Sequence, residues 1–263
     1  MTLLFRLITL SSLLLSTVVL AQETSNGSLT GRLQTSKGAP LKDAIVFLFN
    51  DQSGPPPAPE RYWRVPDEIV TSDQEGRFVA LVPPGKYFIG AIKRQGDKEV
   101  GPPLPGDLFL TSIDDKGNPK RYQVGRGEQT DVGILAGAAP YKAETGVLRE
   151  GNTAIEGTVV NRDGQPVRGA SVFAFISPAM VGKPVFVSDK TGSDGRFVLR
   201  VWGSGNFFLK ARDVYGGGPP KVGGVIGGYG DENPLPVAVR AGSITKGITV
   251  KVGRFAGQGP ASR

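Results

Sequence analysis

Apolar and polar residues alternate over short stretches of this chain, and the stretches occur twice. Ser28 to Gln34 alternates. Arg77 to Val82 puts Phe78 and Ala80 on one face and Arg77, Val79 and Leu81 on the other, the period of two that predicts a half-buried strand. Ala44 to Phe49 is almost continuously apolar, which predicts a strand covered on both faces or near the sheet centre. Ile69 to Thr71, Lys86 to Lys93 and Thr130 to Leu135 complete the strands read in the first half. In the second half they are Ala154–Asn161, Ala170–Ile176, Val185–Asp189, Arg196–Val201, Phe207–Arg212, Leu235–Arg240 and Ile248–Val252. After the first 21 residues no apolar 3.6-residue period persists over three turns, so helices are not expected.

The two halves are copies. Gly38-Ala39-Pro40-Leu41-Lys42-Asp43-Ala44-Ile45-Val46-Phe47-Leu48-Phe49 returns as Gly164-Gln165-Pro166-Val167-Arg168-Gly169-Ala170-Ser171-Val172-Phe173-Ala174-Phe175, 126 residues later. A Gly-Arg-Phe-Val tetrapeptide follows each, at Gly76 to Val79 and Gly195 to Val198. A duplication with indels confined to loops predicts two domains of one fold, each of a size that buries its own core and folds alone. The expected fold class is all-β, with two tandem seven-stranded Greek-key β-sandwiches after an N-terminal signal peptide. The boundaries read as a signal peptide at 1–21, sandwich 1 at 22–136, a linker at 137–152, sandwich 2 at 153–253 and a flexible tail at 254–263. Gln95 to Gly127 and Gly216 to Gly230 read as excursions rich in turn formers.

The signal peptide rests on an apolar run after Arg6 that ends at Val19-Leu20-Ala21, with the polar Gln22-Glu23-Thr24-Ser25 behind it. It places the mature protein in the periplasm or outside the cell, with no transmembrane span left after cleavage; the rival reading is an uncleaved membrane anchor, which needs about 20 apolar residues where this run is shorter and rich in hydroxyls. The sequence has no Cys, which removes both disulfides and a lipid-anchoring cysteine. It has no His either, so Ser-His-Asp and Cys-His catalysis and histidine zinc sites are excluded. The formal charge of +7 is scattered, with no run of five basic residues, and nucleic acid is not an expected partner.

Three further features carry chemistry. The adjacent carboxylates Asp67-Glu68, Asp114-Asp115 and Asp231-Glu232 could serve glycoside hydrolysis only if brought across a cleft. Asp73, Glu75, Asp189 and Asp194 lie at equivalent hairpins and could offer oxygens to Ca²⁺ or bond their own turns. The strongest binding candidate is Arg61-Tyr62-Trp63-Arg64, in a proline-rich insertion from Asn50 to Pro66 that the second copy lacks. Two readings stand for it: an exposed recognition loop, or a local core folded over the sandwich edge.

The repeated Gly-x-Pro-[Leu/Val]-x-x-Ala-x-Val-x-x-Phe, followed by Gly-Arg-Phe-Val, resembles the carboxypeptidase regulatory-like domain, a transthyretin-like (prealbumin-type) sandwich. The resemblance covers about Gly27 to Ala136 and Thr153 to Val252. It implies the fold, with Ala44/Ala170 and Phe47/Phe173 facing the core and Phe78/Phe197 filling it. It brings no peptidase domain, no cofactor and no catalytic residue. The expected function is an exported, non-catalytic structural or interaction protein presenting loops to an envelope protein or polysaccharide; the alternative is a carbohydrate-binding module or a weak carboxylate-dependent glycosidase.

Overall fold

The computed structural model describes residues 25–96, 99–142, 148–215 and 219–257; the signal-peptide reading of 1–21 lies outside them. All regular structure among the described residues is β. Unit 1 contains β1 (Gly27–Thr35), β2 (Ile45–Asn50), β3 (Glu68–Thr71), β4 (Arg77–Val82), β5 (Gly85–Lys93), β6 (Leu108–Thr111), β7 (Tyr122–Val124) and β8 (Gln129–Pro140). Unit 2 contains β9 (Thr153–Val160), β10 (Ser171–Phe175), β11 (Phe186–Val187), β12 (Arg196–Val201), β13 (Gly205–Arg212), β14 (Val225–Gly228), β15 (Val237–Val239) and β16 (Ile244–Arg254).

The pairing order is β3-β2-β5-β6-β8-β1-β4 in unit 1 and β11-β10-β13-β14-β16-β9-β12 in unit 2, with β7 on β5 and β15 on β13. The same order in both units is the structural form of the duplication. Within each, the first and last strands run parallel and the other pairs antiparallel. The parallel pair is bulged in both units, between Thr30 and Arg32 and again between Leu33 and Thr35 in unit 1, and between Thr245 and Ile248 in unit 2. A Cβ on Gly157 would lie 1.9 Å from the Ile248 carbonyl oxygen, so the bulge needs glycine there.

Each unit has eight strands among the described residues rather than seven, because the excursions are not structureless. Gln95 to Gly127 contains β6 and β7, and Gly216 to Gly230 contains β14. β8 runs past Ala136 to Pro140, and Tyr141 then bonds through its amide to the Asp107 carbonyl, so the expected linker begins later than residue 137. At the other end β16 includes Arg254, and Phe255 exchanges backbone bonds with Gly223 and Gly224, which ties down the start of the expected tail.

Alternation decides what is buried. Phe78, Ala80 and Val82 of β4 fill the interior of unit 1 with Leu29, Leu33, Val46 and Ile89. Phe197, Leu199 and Val201 of β12 do the same in unit 2. Ala44 and Ala170 are interior, as expected. Phe47 and Phe173 are not. They point to the outer faces of β2 and β10, where Phe47 joins Ile45, Phe49, Phe88 and Ile92, and Phe173 joins Val65, Phe175, Met180 and Val187. Residue parity is the reason: Val46 and Leu48 already occupy the inward positions of β2. The continuous apolar run therefore does mark a strand covered on both faces: Ile69, Val100 and Phe109 pack on the outer cluster of β2 from its own unit, while Val65 and Trp63 of unit 1 cover that of β10.

Candidate functional site

The insertion Asn50 to Pro66 builds the junction between the units. Pro55-Pro56-Pro57 leads into a tight turn in which the amides of Arg61 and Tyr62 both donate to the Ala58 carbonyl, at 2.8 and 2.9 Å. The turn throws Tyr62 out of unit 1. Its ring enters the interior cluster of unit 2, 2% exposed, 5.4 Å from the Phe186 ring and 5.8 Å from the Trp202 ring. Its hydroxyl donates to the Pro56 carbonyl at 2.5 Å. Burial pushes the hydroxyl's pKa up to about 12, against the opposing pull of Arg64 and Arg61.

The next three residues add a strand to unit 2. The Val65 amide donates to the Val185 carbonyl at 2.8 Å, the Val187 amide donates to the Trp63 carbonyl at 3.0 Å, and Arg64 lies antiparallel to Phe186. Two residues further on, β3 pairs with β2 of unit 1. One extended segment thus belongs to both sheets in succession and covers the edge of β11, a liability if left open.

Side chains reinforce the junction. Half-buried Trp63 forms a triad with Phe109 and Tyr141, its centroid 6.2 and 5.9 Å from theirs, and packs against the outer cluster of β10. The side chain of Arg64 is fully buried. Its guanidinium donates to the carbonyls of Pro55 at 2.8 Å and Gly54 at 3.2 Å, to the Asn50 carbonyl, and to Asp67 Oδ2 at 3.0 Å. The other oxygen of Asp67 takes Lys183 of unit 2. Burial lowers the pKa of both cations, and Asp67 offsets this.

A second bracket comes from residues 99–107. The buried pair Arg94–Asp107, 2.5 Å apart, shapes this loop, with Arg94 also donating to the carbonyls of Glu99, Gly101 and Pro102. Glu99 then meets Lys190 of unit 2 at 2.6 Å. Between loop, insertion and sheets remains an apolar cavity of about 40 Å³, lined by Phe47, Phe49, Trp63, Phe109, Pro102 and Tyr215.

The exposed loop expected at Arg61 to Arg64 is therefore corrected in its exposure. Tyr62 and Arg64 are buried, Trp63 is half-buried, and Arg61 alone is exposed. The alternative of a local core over a sandwich edge describes the burial, with the difference that the edge belongs to the other unit. Sequence reasoning missed Phe186, Trp202, Phe109, Tyr141 and Lys183 as members. The one available signal was the apolar outward parity of Phe47, Phe49, Phe173 and Phe175.

Of the other carboxylate candidates, Asp73, Asp114 and Asp194 bond locally. Asp73 Oδ1 accepts the amides of Glu75 and Arg77, and Asp194 Oδ1 that of Arg196, so both serve their own hairpins. Asp114 does likewise for Lys116 and Asn118, while Asp67 is engaged as described. Among the described residues no group of three or more acidic side chains is placed to hold a metal ion, and no helix is long and apolar enough to cross a membrane.

No family model matches the chain. Over 135 residues it is 27% identical to the AsmA family protein YhjG of Escherichia coli (strain K12), a match spanning 50% of this chain and 18% of that protein's length. Among solved structures it is similar to the Bacillus anthracis TIE protein, at 18% identity over 88% of this chain and 34% of the other, with a TM-score of 0.25. It is also similar to a streptococcal ancillary pilin, at 12% identity over 87% of this chain and 63% of the other, with a TM-score of 0.26. Likenesses of that size carry no functional argument, and the assignment to tandem β-sandwiches rests on the strand pairing of this chain itself.

Proposed function

We propose that the chain is an exported, non-catalytic structural and interaction protein whose two carboxypeptidase regulatory-like sandwiches present their loops to an envelope protein or polysaccharide partner. The observation that supports it most is the junction. Tyr62 completes the interior of unit 2, residues 63–65 extend its sheet, and Asp67 and Glu99 pair with Lys183 and Lys190. Two small domains held by strand, plug and ion pairs keep their outer loops at fixed spacing, which suits a spacer or docking platform. The absence of His and Cys from the sequence supports the non-catalytic part.

The test is recovery of tagged, exported protein from periplasm, envelope and medium, with capture of its partner by cross-linking. The account expects cleavage after Ala21 and an envelope-associated partner. Turnover of a glycan in proportion to added protein, or retention in the cytoplasm, would overturn it.

A further inference from the structure

At the end of unit 2, beside the entry point of Tyr62, lies a recess of about 270 Å³ built from both units. Unit 1 contributes Arg61 and the flank of Tyr62; unit 2 contributes Asn152, Thr153, Trp202 and Gly242. Trp202 is 51% exposed although its ring meets Tyr62 edge to face, so much of its surface remains open to solvent. Asn152 is only 7% exposed. Its Oδ1 accepts the Arg149 amide at 2.7 Å, which fixes the orientation of the amide group, and its Nδ2 makes no hydrogen bond with any described residue. Thr153 Oγ1 is occupied by the Gly242 amide at 2.8 Å. Arg61 is exposed and has no ion-pair partner among the described residues. No carboxylate lines the recess.

A nearly buried amide with unused donors, a neighbouring guanidinium and an open indole make a particular complement. The donors call for an acceptor-rich ligand, and the fork of Arg61 suits a carboxylate. The indole calls for a ligand with one apolar face. We infer that this recess binds an acidic sugar unit, a uronate residue of an envelope polysaccharide, with the ring over Trp202 and the carboxylate toward Arg61. The inference rests on the non-catalytic interaction reading above and names the ligand class of that surface. The ligand would sit where the units meet, so it also depends on the junction.

The test is calorimetric titration of the mature protein at low salt with an oligogalacturonate and, as neutral control, a maltooligosaccharide of the same length. The acidic oligomer is expected to bind and the neutral one to bind far more weakly. Loss of a charged hydrogen bond with Arg61→Ala, and of the stacked ring with Trp202→Ala, should each weaken binding about tenfold or more. Trp202 touches Tyr62, so thermal unfolding of that variant is recorded alongside, and Asn152→Asp, which keeps the Oδ1 acceptor but adds a repelling charge, gives an independent loss. Equal affinity for the two oligomers, or acidic binding that survives Arg61→Ala and Asn152→Asp, overturns the inference. So does absence of binding to either oligomer; in that case an envelope partner captured by cross-linking still upholds the broader reading.

Discussion

The rings of Tyr62 and Phe186 meet edge to face, with centroids 5.4 Å apart and planes at 73°, although one belongs to unit 1 and the other to unit 2. Phe186 in turn stands 5.9 Å from Phe207, so the stack continues inward. Tyr62 is therefore a core residue of a domain it is not part of.

Truncating that ring should damage unit 2 and spare unit 1. Tyr62→Ala is expected to cost about 3–5 kcal/mol, the range for removing a buried aromatic ring. Denaturant unfolding with probes in each unit checks this. A loss confined to unit 1, or one below about 1 kcal/mol, would show that the ring does not pack where the fold puts it.

Alkali should loosen the junction. The hydroxyl of Tyr62 keeps its proton up to about pH 12 in the folded chain, against 10.0 for an ordinary tyrosine. A raised folded pKa means the folded state binds the proton more tightly. The associated stability is complete below pH 10 and is lost as the pH rises through 12. Tyr87, Tyr141 and Tyr215 are shifted upward by burial as well, so the wild type has several contributions to this slope. Tyr62→Phe should flatten the decline by the share of one proton, measured as unfolding free energy at a series of alkaline pH values. An unchanged slope would contradict burial of this hydroxyl.

Arg94 and Asp107 should behave as a buried pair. Asp107→Ala leaves the guanidinium uncompensated, which costs about 3–5 kcal/mol, whereas replacing both partners with apolar residues should cost much less. Equilibrium unfolding of the two variants distinguishes these. Glu99→Gln, at the exposed end of the same loop, should change stability by less than about 1 kcal/mol.

The strand addition should be visible in amide exchange. The amide of Val187 is bonded to the Trp63 carbonyl, so its protection depends on unit 1. Hydrogen exchange in Trp63→Pro, which leaves that carbonyl in place but forces a different backbone at residue 63, should show faster exchange at Val187 and unchanged exchange at Leu209 in the centre of unit 2. Equal protection at Val187 in both proteins would remove the cross-unit pairing.

What the sequence revealed followed the range of its signals. Alternation at Arg77–Val82 and Arg196–Val201 located the strands and their inward faces, because a period of two is local. The continuous run Ala44–Phe49 showed two-sided burial but not its cover, since the aromatic rings that lie over it come from elsewhere in the chain. β14 was hidden because Val225–Gly228 is half glycine. A Cβ on Gly227 would stand 2.0 Å from the Lys251 carbonyl oxygen, so close approach to β16 selects a residue that locally resembles a loop. The fate of Tyr62 was hidden for the same reason at longer range. Proline, glycine and aromatic residues in a long insertion suit an exposed loop and a docking strap equally well, and only the tertiary fold brings Glu60 to Arg200, 140 residues away.

Unit 2 without unit 1 tests the account most directly. The fragment 148–257 keeps every strand of unit 2 but lacks Tyr62 and the strand 63–65. Its unfolding, followed by Trp202 fluorescence, is compared with that of unit 2 in the whole chain carrying Trp63→Phe. The account predicts a fragment less stable by about 3 kcal/mol or more, restored in a concentration-dependent way by a peptide spanning residues 55–66. A fragment as stable as unit 2 in the intact protein, and indifferent to the peptide, would contradict it.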